Sequence, residues 1–510
     1  MGEISRTQTF LSSNRTLWIV ASLTILLFAI ANLPWCLDDY DQAKQAFTSF
    51  QMIKEGRWFY QQTPHQHVAT KPPLAGWTSA GLFAITRSWD MAWRLPSFLS
   101  AVAIATVLFR AASSAYGTVA GLLAVGAFGL NLLSPRLATL VRTDMPLALA
   151  IFLIGLLIWE KIRTATPWTQ RDRIYLFAFL TVAMLIKGPI VYAFLLPGIA
   201  LFEWRRSRAA RSQSAVSRSV SCGERLNAAG RLQSAWPGWW PWIASLAIFL
   251  LWVIGGVAFQ PGFFEQVVVR EFAARFAETV HRPQPLYFYF PHLLHKFFPW
   301  SVFMMAIAIV DLRSRNWRLR SVFREMSPET FWLLCWSVGG LIAMSLIPSK
   351  RVDRIFPVVP PLCLVLAAQI GRDAALRRRV LYRWSAIALI PAILVAGGYT
   401  ISKVITGYLD HRDTLAVFGR EVRHEGELRH WCYEVVSARD EALLLYLRKT
   451  RFIEPSHAVA EWNRGDLDAL VASTDKATGL MPELQGAVLS GLKSTEPNAE
   501  QGKAYVLITH

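Results

Sequence analysis

The sequence predicts a polytopic α-helical membrane protein with a small α/β domain at its C-terminal end, and three observations predict it. The 510 residues are 53% hydrophobic and 13% aromatic, too apolar for an ordinary water-soluble chain. Apolar windows of roughly 17–23 residues, some shorter, recur over the first four-fifths of the sequence, the length that crosses a bilayer as a helix. Beyond about residue 406 the chain turns polar and closes on a strand-like run from Ala504 to Ile508.

The first window, 17–37, follows Arg6 and Arg15. It is long enough to span and lacks a small-residue cleavage pattern, so a retained first helix with a cytoplasmic N-terminus is expected. Further windows fall at 92–110, 114–134, 145–160, 173–187, 189–204, 237–259, 297–311, 329–347, 355–371 and 384–406. The stretch from Leu74 to Trp89 reads as another span or as a helix lying at the interface. The total expected is about eleven to thirteen spans within a membrane domain over 1–406, whose larger outer loops are 38–91 and 260–296. Within the first loop, Ala43, Ala46, Phe47, Phe50 and Ile53 recur near helical spacing and predict a surface helix over 43–55 at the lipid boundary. The Ser/Arg/Gly-rich stretch 205–235 reads as a linker, and 407–510 as an α/β domain outside the membrane with a helix from Arg439 to Leu447.

A formal charge of +18 would suggest nucleic acid in a soluble domain, but most of the arginine falls in short loops between apolar runs. Arg205 to Arg231, Arg313 to Arg324 and Arg377 to Arg379 then share the cytoplasmic side, as the positive-inside rule requires. Residues 38–91, 135–144, Lys187, 260–296 and 348–354 share the opposite face. The five cysteines show no metal-type or paired spacing, so neither a zinc nor a disulfide framework is implied.

The outer face collects the residues capable of chemistry. Asp38, Asp39 and Asp41 follow Trp35 where the chain leaves the first span. A carboxylate partly screened from water there suits general base work, and a solvated loop start is the alternative. Lys71 precedes Pro72-Pro73, which restricts its backbone; it reads as a point charge for a lipid phosphate or as a snorkelling lysine. Arg142 and Asp144 before Met145-Pro146, and Lys187 before Gly188-Pro189, mark two more such corners. The loop 263–300 carries Glu271, Arg275, His281 and Tyr287, a candidate acceptor site with an aromatic wall, although Glu271 and Arg275 could equally pair along a helix. Lys350 and Arg351 could neutralise a phosphate or meet anionic headgroups.

In their order and sidedness these motifs resemble the membrane-embedded GT-C glycosyltransferases, in particular the bacterial aminoarabinose transferase and protein mannosyltransferase group. The resemblance rests on Asp38-Asp39 with Ala43, Lys71-Pro72, Arg94-Leu95-Pro96, Thr143-Asp144-Met145-Pro146-Leu147, Lys187-Gly188-Pro189, and Ser349-Lys350-Arg351 with Pro357. It covers about residues 17–370 and implies an inverting transfer of a sugar from a polyprenyl (undecaprenyl) phosphate to an envelope acceptor, whether lipid A, a glycan or a protein. The site would lie on the periplasmic face of a bacterial inner membrane. The resemblance makes Asp38 the candidate base, with Asp39 and then Asp144 next. Lys71, Arg142, Lys187, Lys350 and Arg351 are then the candidates for the phosphate, and Asp41, Glu271, Arg275, His281 and Tyr287 for acceptor or sugar. The chain departs from the pattern at Thr70, where the family often has Glu, at Phe272, where it often has His, and at Asp41, where it usually has Arg. In the family a divalent metal can contact that Glu and that His, and this chain has neither, so no cofactor is expected and a divalent metal is the alternative.

A leaving group that is already anionic needs cations more than a general acid, and a carboxylate opposite it gives inversion in one step. No Gly-rich nucleotide loop is needed, and the cytoplasmic segments contain none. A transporter or lipid flippase is the alternative reading. It would place ionisable groups near the bilayer midplane, whereas 17–37, 242–259 and 384–402 carry none at their centres. A non-catalytic scaffold would leave the acidic pair and the lysine corners without a purpose.

Overall fold

A computed structural model describes residues 11, 13–37, 39–65, 67–217, 233–272, 284–438, 440–494 and 504–510; of these, the side chains of 212–217, 271, 272 and 372–380 are not described. In chain order the helices begin with α1 (Asn14–Ile30), α2 (Tyr40–Glu55), α3 (Leu74–Thr86), α4 (Trp89–Tyr116), α5 (Thr118–Gly129), α6 (Ser134–Ala138), α7 (Asp144–Thr164), α8 (Gln170–Lys187), α9 (Ile190–Ser217) and α10 (Trp240–Phe259). A π-helix, Phe264–Phe272, follows, then α11 (Tyr289–Lys296), α12 (Trp300–Ser314), α13 (Leu319–Glu325), α14 (Pro328–Leu346), a 3-10 helix Val352–Val358, α15 (Val359–Leu409) and α16 (Thr414–Arg429). The remainder alternates: β1 (Tyr433–Val435), α17 (Glu441–Leu447), α18 (Pro455–Asn463), β2 (Ala469–Ser473), α19 (Thr474–Leu480), β3 (Val488–Ser494) and β4 (Tyr505–Thr509).

Among the described residues six helical segments are long and apolar enough to cross a membrane: α4, α7, α10, α14 and the segments Val352–Gly371 and Leu381–Leu409. The pair α11 and α12, bent by 102°, makes up to a seventh. Several of the eleven apolar windows form helices that are shorter or more charged than these, for local reasons. The first window does not run to Leu37, because α1 stops at Ile30 and the chain turns through Leu33-Pro34, where proline has no N–H to continue a helix. The window at 114–134 becomes α5, only 12 residues long and buried along almost its whole length, so it is a core helix. In α8 the 18 residues include Arg171, Asp172, Arg173 and Lys187, and Thr169 with Asp172 forms a capping box that fixes where it starts. The apolar part of α9 ends at Phe202, ahead of Glu203, Arg205 and Arg206.

The chain forms two compact units. One comprises residues 1–29, 97–138 and 143–399, and its closest helix crossing joins α9 to α14. A Cβ added to Gly198 would meet the Trp336 Cα at 2.8 Å and the Cys335 carbonyl at 2.9 Å. Only glycine lets the two backbones approach this far, the small-residue packing that holds helices together in lipid.

The other unit comprises residues 30–96, 139–142 and 400–510. It therefore joins residues 400–510 to most of the first outer loop. Its sheet has the order β1-β2-β4-β3, with β1 parallel to β2 and the remaining pairs antiparallel. Side chains alternate across it. Ala469, Val471, Tyr505 and Leu507 enter one core, while Leu470, Ala472 and Ile508 enter another with Ala458 and Trp462 of α18. The first core is completed by α17 and by Ala43, Ala46, Phe47 and Phe50 of α2. The helix expected at the lipid boundary thus forms, but its apolar stripe is buried against protein. Only Ile53 of the five spaced residues is exposed.

Glu441 opens α17 inside this unit at 3% exposure, and neither carboxylate oxygen meets a hydrogen-bond partner among the described residues. Burial pushes its carboxyl up to about 7, with the Lys44 ammonium of α2 pulling the other way. Between the ordinary value of 4.5 and about 7 the folded chain binds this proton more tightly than the unfolded chain does. The associated stability is therefore full below pH 4.5 and lost as pH rises through about 7. Glu441→Gln is expected to stabilise the protein on the order of 3 kcal/mol above that range and to change little at pH 4. Thermal unfolding of wild type and variant across this pH range measures the difference.

Candidate functional site

The acidic segment lies in the unit that contains the sheet, and most of the groups that fix it come from distant sequence. The Lys403 ammonium donates to the Ala31 carbonyl at 3.1 Å and to Asn32 Oδ1 at 2.9 Å, and Asn32 Nδ2 donates to Thr139 Oγ1 at 2.8 Å. The buried Arg94 donates to the Trp35 carbonyl at 2.6 Å, with its guanidinium 5.4 Å from the Trp35 ring. One step nearer the acids, the Leu37 N–H donates to the Tyr446 hydroxyl at 2.7 Å. Burial pushes the pKa of that hydroxyl up, so it stays neutral as an acceptor. Asp38 lies outside the described residues, between this clamped stretch and Asp39.

Asp39 caps α2. Its backbone is extended (φ −92°, ψ 124°), and Oδ1 accepts from the Asp41 N–H at 3.0 Å, satisfying one of the helix's unpaired donors. Its Oδ2 pairs with Arg142, whose side chain is only 9% exposed. Beside that pair, the buried Gln42 accepts from the Val141 N–H at 3.1 Å. Two side chains of the first turn of α2 and its cap thus hold the segment 139–142, bringing Asp39, Asp41 and Arg142 together. Lys71 sits in the bend before α3, half-buried, with Pro72 and Pro73 buried behind it.

In the other unit Asp144, the first residue of α7, accepts from Lys187 at the end of α8 at 2.5 Å, and both side chains are nearly buried. The Lys-Gly-Pro corner ends α8 at Gly188 (φ 75°), a positive φ that suits glycine. Lys350 is buried and donates to the Gln284 carbonyl at 2.9 Å, and burial pushes its ammonium below the ordinary lysine range. Arg351 precedes the 3-10 helix in extended conformation (φ −139°). Tyr287 is 71% exposed. The Glu271 side chain, Arg275 and His281 lie outside the described residues. Among the described residues no group of three or more His, Cys, Asp or Glu is arranged to hold a metal.

Sequence reasoning missed Gln42, Lys403 and Tyr446. Each acts through hydrogen bonds to residues distant in sequence, and no local spacing could reveal them. Arg94 had a signal, the Arg-Leu-Pro motif at the start of α4.

A multi-pass helical protein carrying a small mixed sheet, with acids and cations gathered at helix ends, defines the class. Residues 70–216 match the dolichyl-phosphate-mannose-protein mannosyltransferase family. A segment of 164 residues is 31% identical to undecaprenyl phosphate-alpha-4-amino-4-deoxy-L-arabinose arabinosyl transferase 1 of Sodalis glossinidius, covering 30% of this chain and 28% of that protein. A segment of 281 residues is 28% identical to the corresponding transferase of Pectobacterium carotovorum, covering 49% of this chain and 47% of the relative. The match thus spans less than half the length of these curated relatives. The crystal structure of ArnT from Cupriavidus metallidurans bound to undecaprenyl phosphate superposes with a TM-score of 0.64 at 17% identity, over 96% of this chain and 97% of that one. The chain has the GT-C fold of ArnT and is a multi-pass membrane protein resembling the aminoarabinose transferases.

Two substitutions probe the clamps. Lys187→Met leaves Asp144 nearly buried without its partner and is expected to cost about 3–5 kcal/mol, part of which a second change, Asp144→Asn, restores. Tyr446→Phe leaves the buried Leu37 N–H unpaired and is expected to cost about 1–3 kcal/mol. Unfolding midpoints of the purified variants in one detergent measure both.

Proposed function

We propose that this protein is an inverting glycosyltransferase of the bacterial inner membrane, moving a sugar from an undecaprenyl phosphate donor to an envelope acceptor at the periplasmic face. The names of the relatives support the donor: those proteins are undecaprenyl phosphate aminoarabinose transferases, and the solved ArnT was bound to undecaprenyl phosphate. The acceptor remains a class here, a lipid, glycan or protein hydroxyl.

The observation that carries the reading is the engagement of Asp39. One of its oxygens accepts from the Asp41 N–H and the other from Arg142, so its carboxylate is committed to holding the corner. That commitment supports Asp38 as the base, at the end of a stretch braced by Lys403, Arg94 and Tyr446. Such bracing suits catalysis, because a base acts efficiently only when its position is fixed before the substrate arrives. In the proposed step Asp38 takes the proton of the acceptor hydroxyl and the freed oxygen attacks the anomeric carbon. The bond to the polyprenyl phosphate breaks with its electron pair on phosphate oxygen. Lys71 and Arg142, from the same unit as Asp39, are the proposed cations for that developing charge. Asp41, in the first turn of α2, is the proposed contact to acceptor or sugar. No step calls for a metal.

Membranes expressing wild type are expected to transfer label from a radiolabelled undecaprenyl phosphate sugar to endogenous acceptors. Asp38→Asn, inserted normally, is expected to lose at least about a hundredfold in rate. Undiminished transfer would move the base to Asp39, and no transfer by wild type with several sugars would sink the assignment.

A further inference from the structure

Lys296, the last residue of α11, does not enter the proposed reaction. Its ammonium is half-buried, and among the described residues it makes no hydrogen bond and no ion pair. What it meets is the Tyr399 ring, 5.9 Å away, and the charges of Arg136 and Asp353. Arg136, in α6, lies 3.7 Å from Asp353, whose side chain is 8% exposed in the 3-10 helix. Lys296 and Arg136 are thus two cations beside the carboxylate of Asp353.

This arrangement is built in and does not depend on two long side chains wandering together. The Leu132 N–H donates to the Lys296 carbonyl at 3.0 Å, and Trp300 Nε1 donates to the Leu130 carbonyl at 2.8 Å. The elbow between α11 and α12 is thereby fastened to the strip of chain that leads into Arg136. Desolvating a cation without an anion is costly, so a half-buried ammonium beside a second cation is a position that an anion would stabilise.

The surroundings say which anion. Tyr399, Phe298 and Val302 are all exposed, and Tyr399 and Val302 belong to apolar helices of the membrane region. Tyrosine marks the boundary between hydrocarbon and headgroup, and cations at that depth meet lipid phosphate. We propose that Arg136 and Lys296, arranged around Asp353 and bordered by Tyr399, Phe298 and Val302, bind the phosphodiester headgroup of one anionic phospholipid whose acyl chains lie along the exposed apolar surface. The site does not depend on the transfer reaction.

The test uses the purified full chain in nanodiscs of phosphatidylcholine doped with phosphatidylglycerol, with retained lipid counted by native mass spectrometry. Wild type is expected to retain phosphatidylglycerol over phosphatidylcholine. Lys296→Gln should lower that retention about fivefold, Lys296→Arg should restore it, and Arg136→Gln with Lys296→Gln should abolish the preference. Inorganic phosphate at millimolar concentration should not displace the lipid. Equal retention by Lys296→Gln and wild type, or equal retention of the two lipids by wild type, overturns the proposal. Full displacement by inorganic phosphate also overturns it, because the site would then read the anion alone. If Arg136→Gln fails to fold once Asp353 loses its partner, Lys296→Gln, which breaks no ion pair, decides the question.

Discussion

A four-stranded sheet with apolar side chains on both faces must be covered on both, and that requirement organises the unit around the acidic segment. One face takes α18 and α19 from its own neighbourhood in the chain. The other takes α17 and Ala416, Phe418 and Val422 of α16 from nearby, and it is completed by α2 and the first turns of α4, some four hundred residues earlier. Covering the sheet therefore determines where α2 lies. The cap of α2 is Asp39, so the same burial sets the position of Asp39. The Tyr446 hydroxyl on Leu37 is the most direct link, since it joins the covering helix to the residue just before Asp38.

The charges gathered at helix ends follow a second rule. In each unit a carboxylate at the start of a helix meets a cation brought from another element: Asp39 with Arg142, and Asp144 with Lys187. Asp39 caps α2 and Asp144 is the first residue of α7, where a negative charge also opposes the helix dipole. Pairing of this kind lets a chain with net charge +18 fold without leaving most of its buried charges alone. Lys296 is the departure from that pattern, which is why it is informative.

Part of the candidate site could be read from the linear sequence. The acidic residues after the first apolar run, the lysine before paired prolines, and the Thr-Asp-Met-Pro-Leu corner are local patterns, each tied to a helix start or a restrained backbone. Protein partners were less legible than positions. Arg142 and Lys187 read as phosphate ligands by charge and sidedness, and the structure gives each a carboxylate. Lys350 read the same way and holds a backbone carbonyl. A sequence displays a charge, but its partner is decided by which elements pack together.

The sequence by itself determined the helical membrane class, the gathering of reactive groups at helix ends, and the presence of α2, α17 and β4, because apolar periodicity, net hydrophobicity and turn residues act over a few neighbours. A window of apolar residues looks the same in sequence whether it forms a helix as long as α7 or one as short and buried as α5. Only the tertiary structure decided that the apolar face of α2 covers the C-terminal sheet, that Tyr446, Lys403 and Gln42 brace the acidic corner, and that Lys296 stands beside Arg136. Each of these depends on contacts between distant residues, and such contacts are set by the burial of whole surfaces, which no local pattern records.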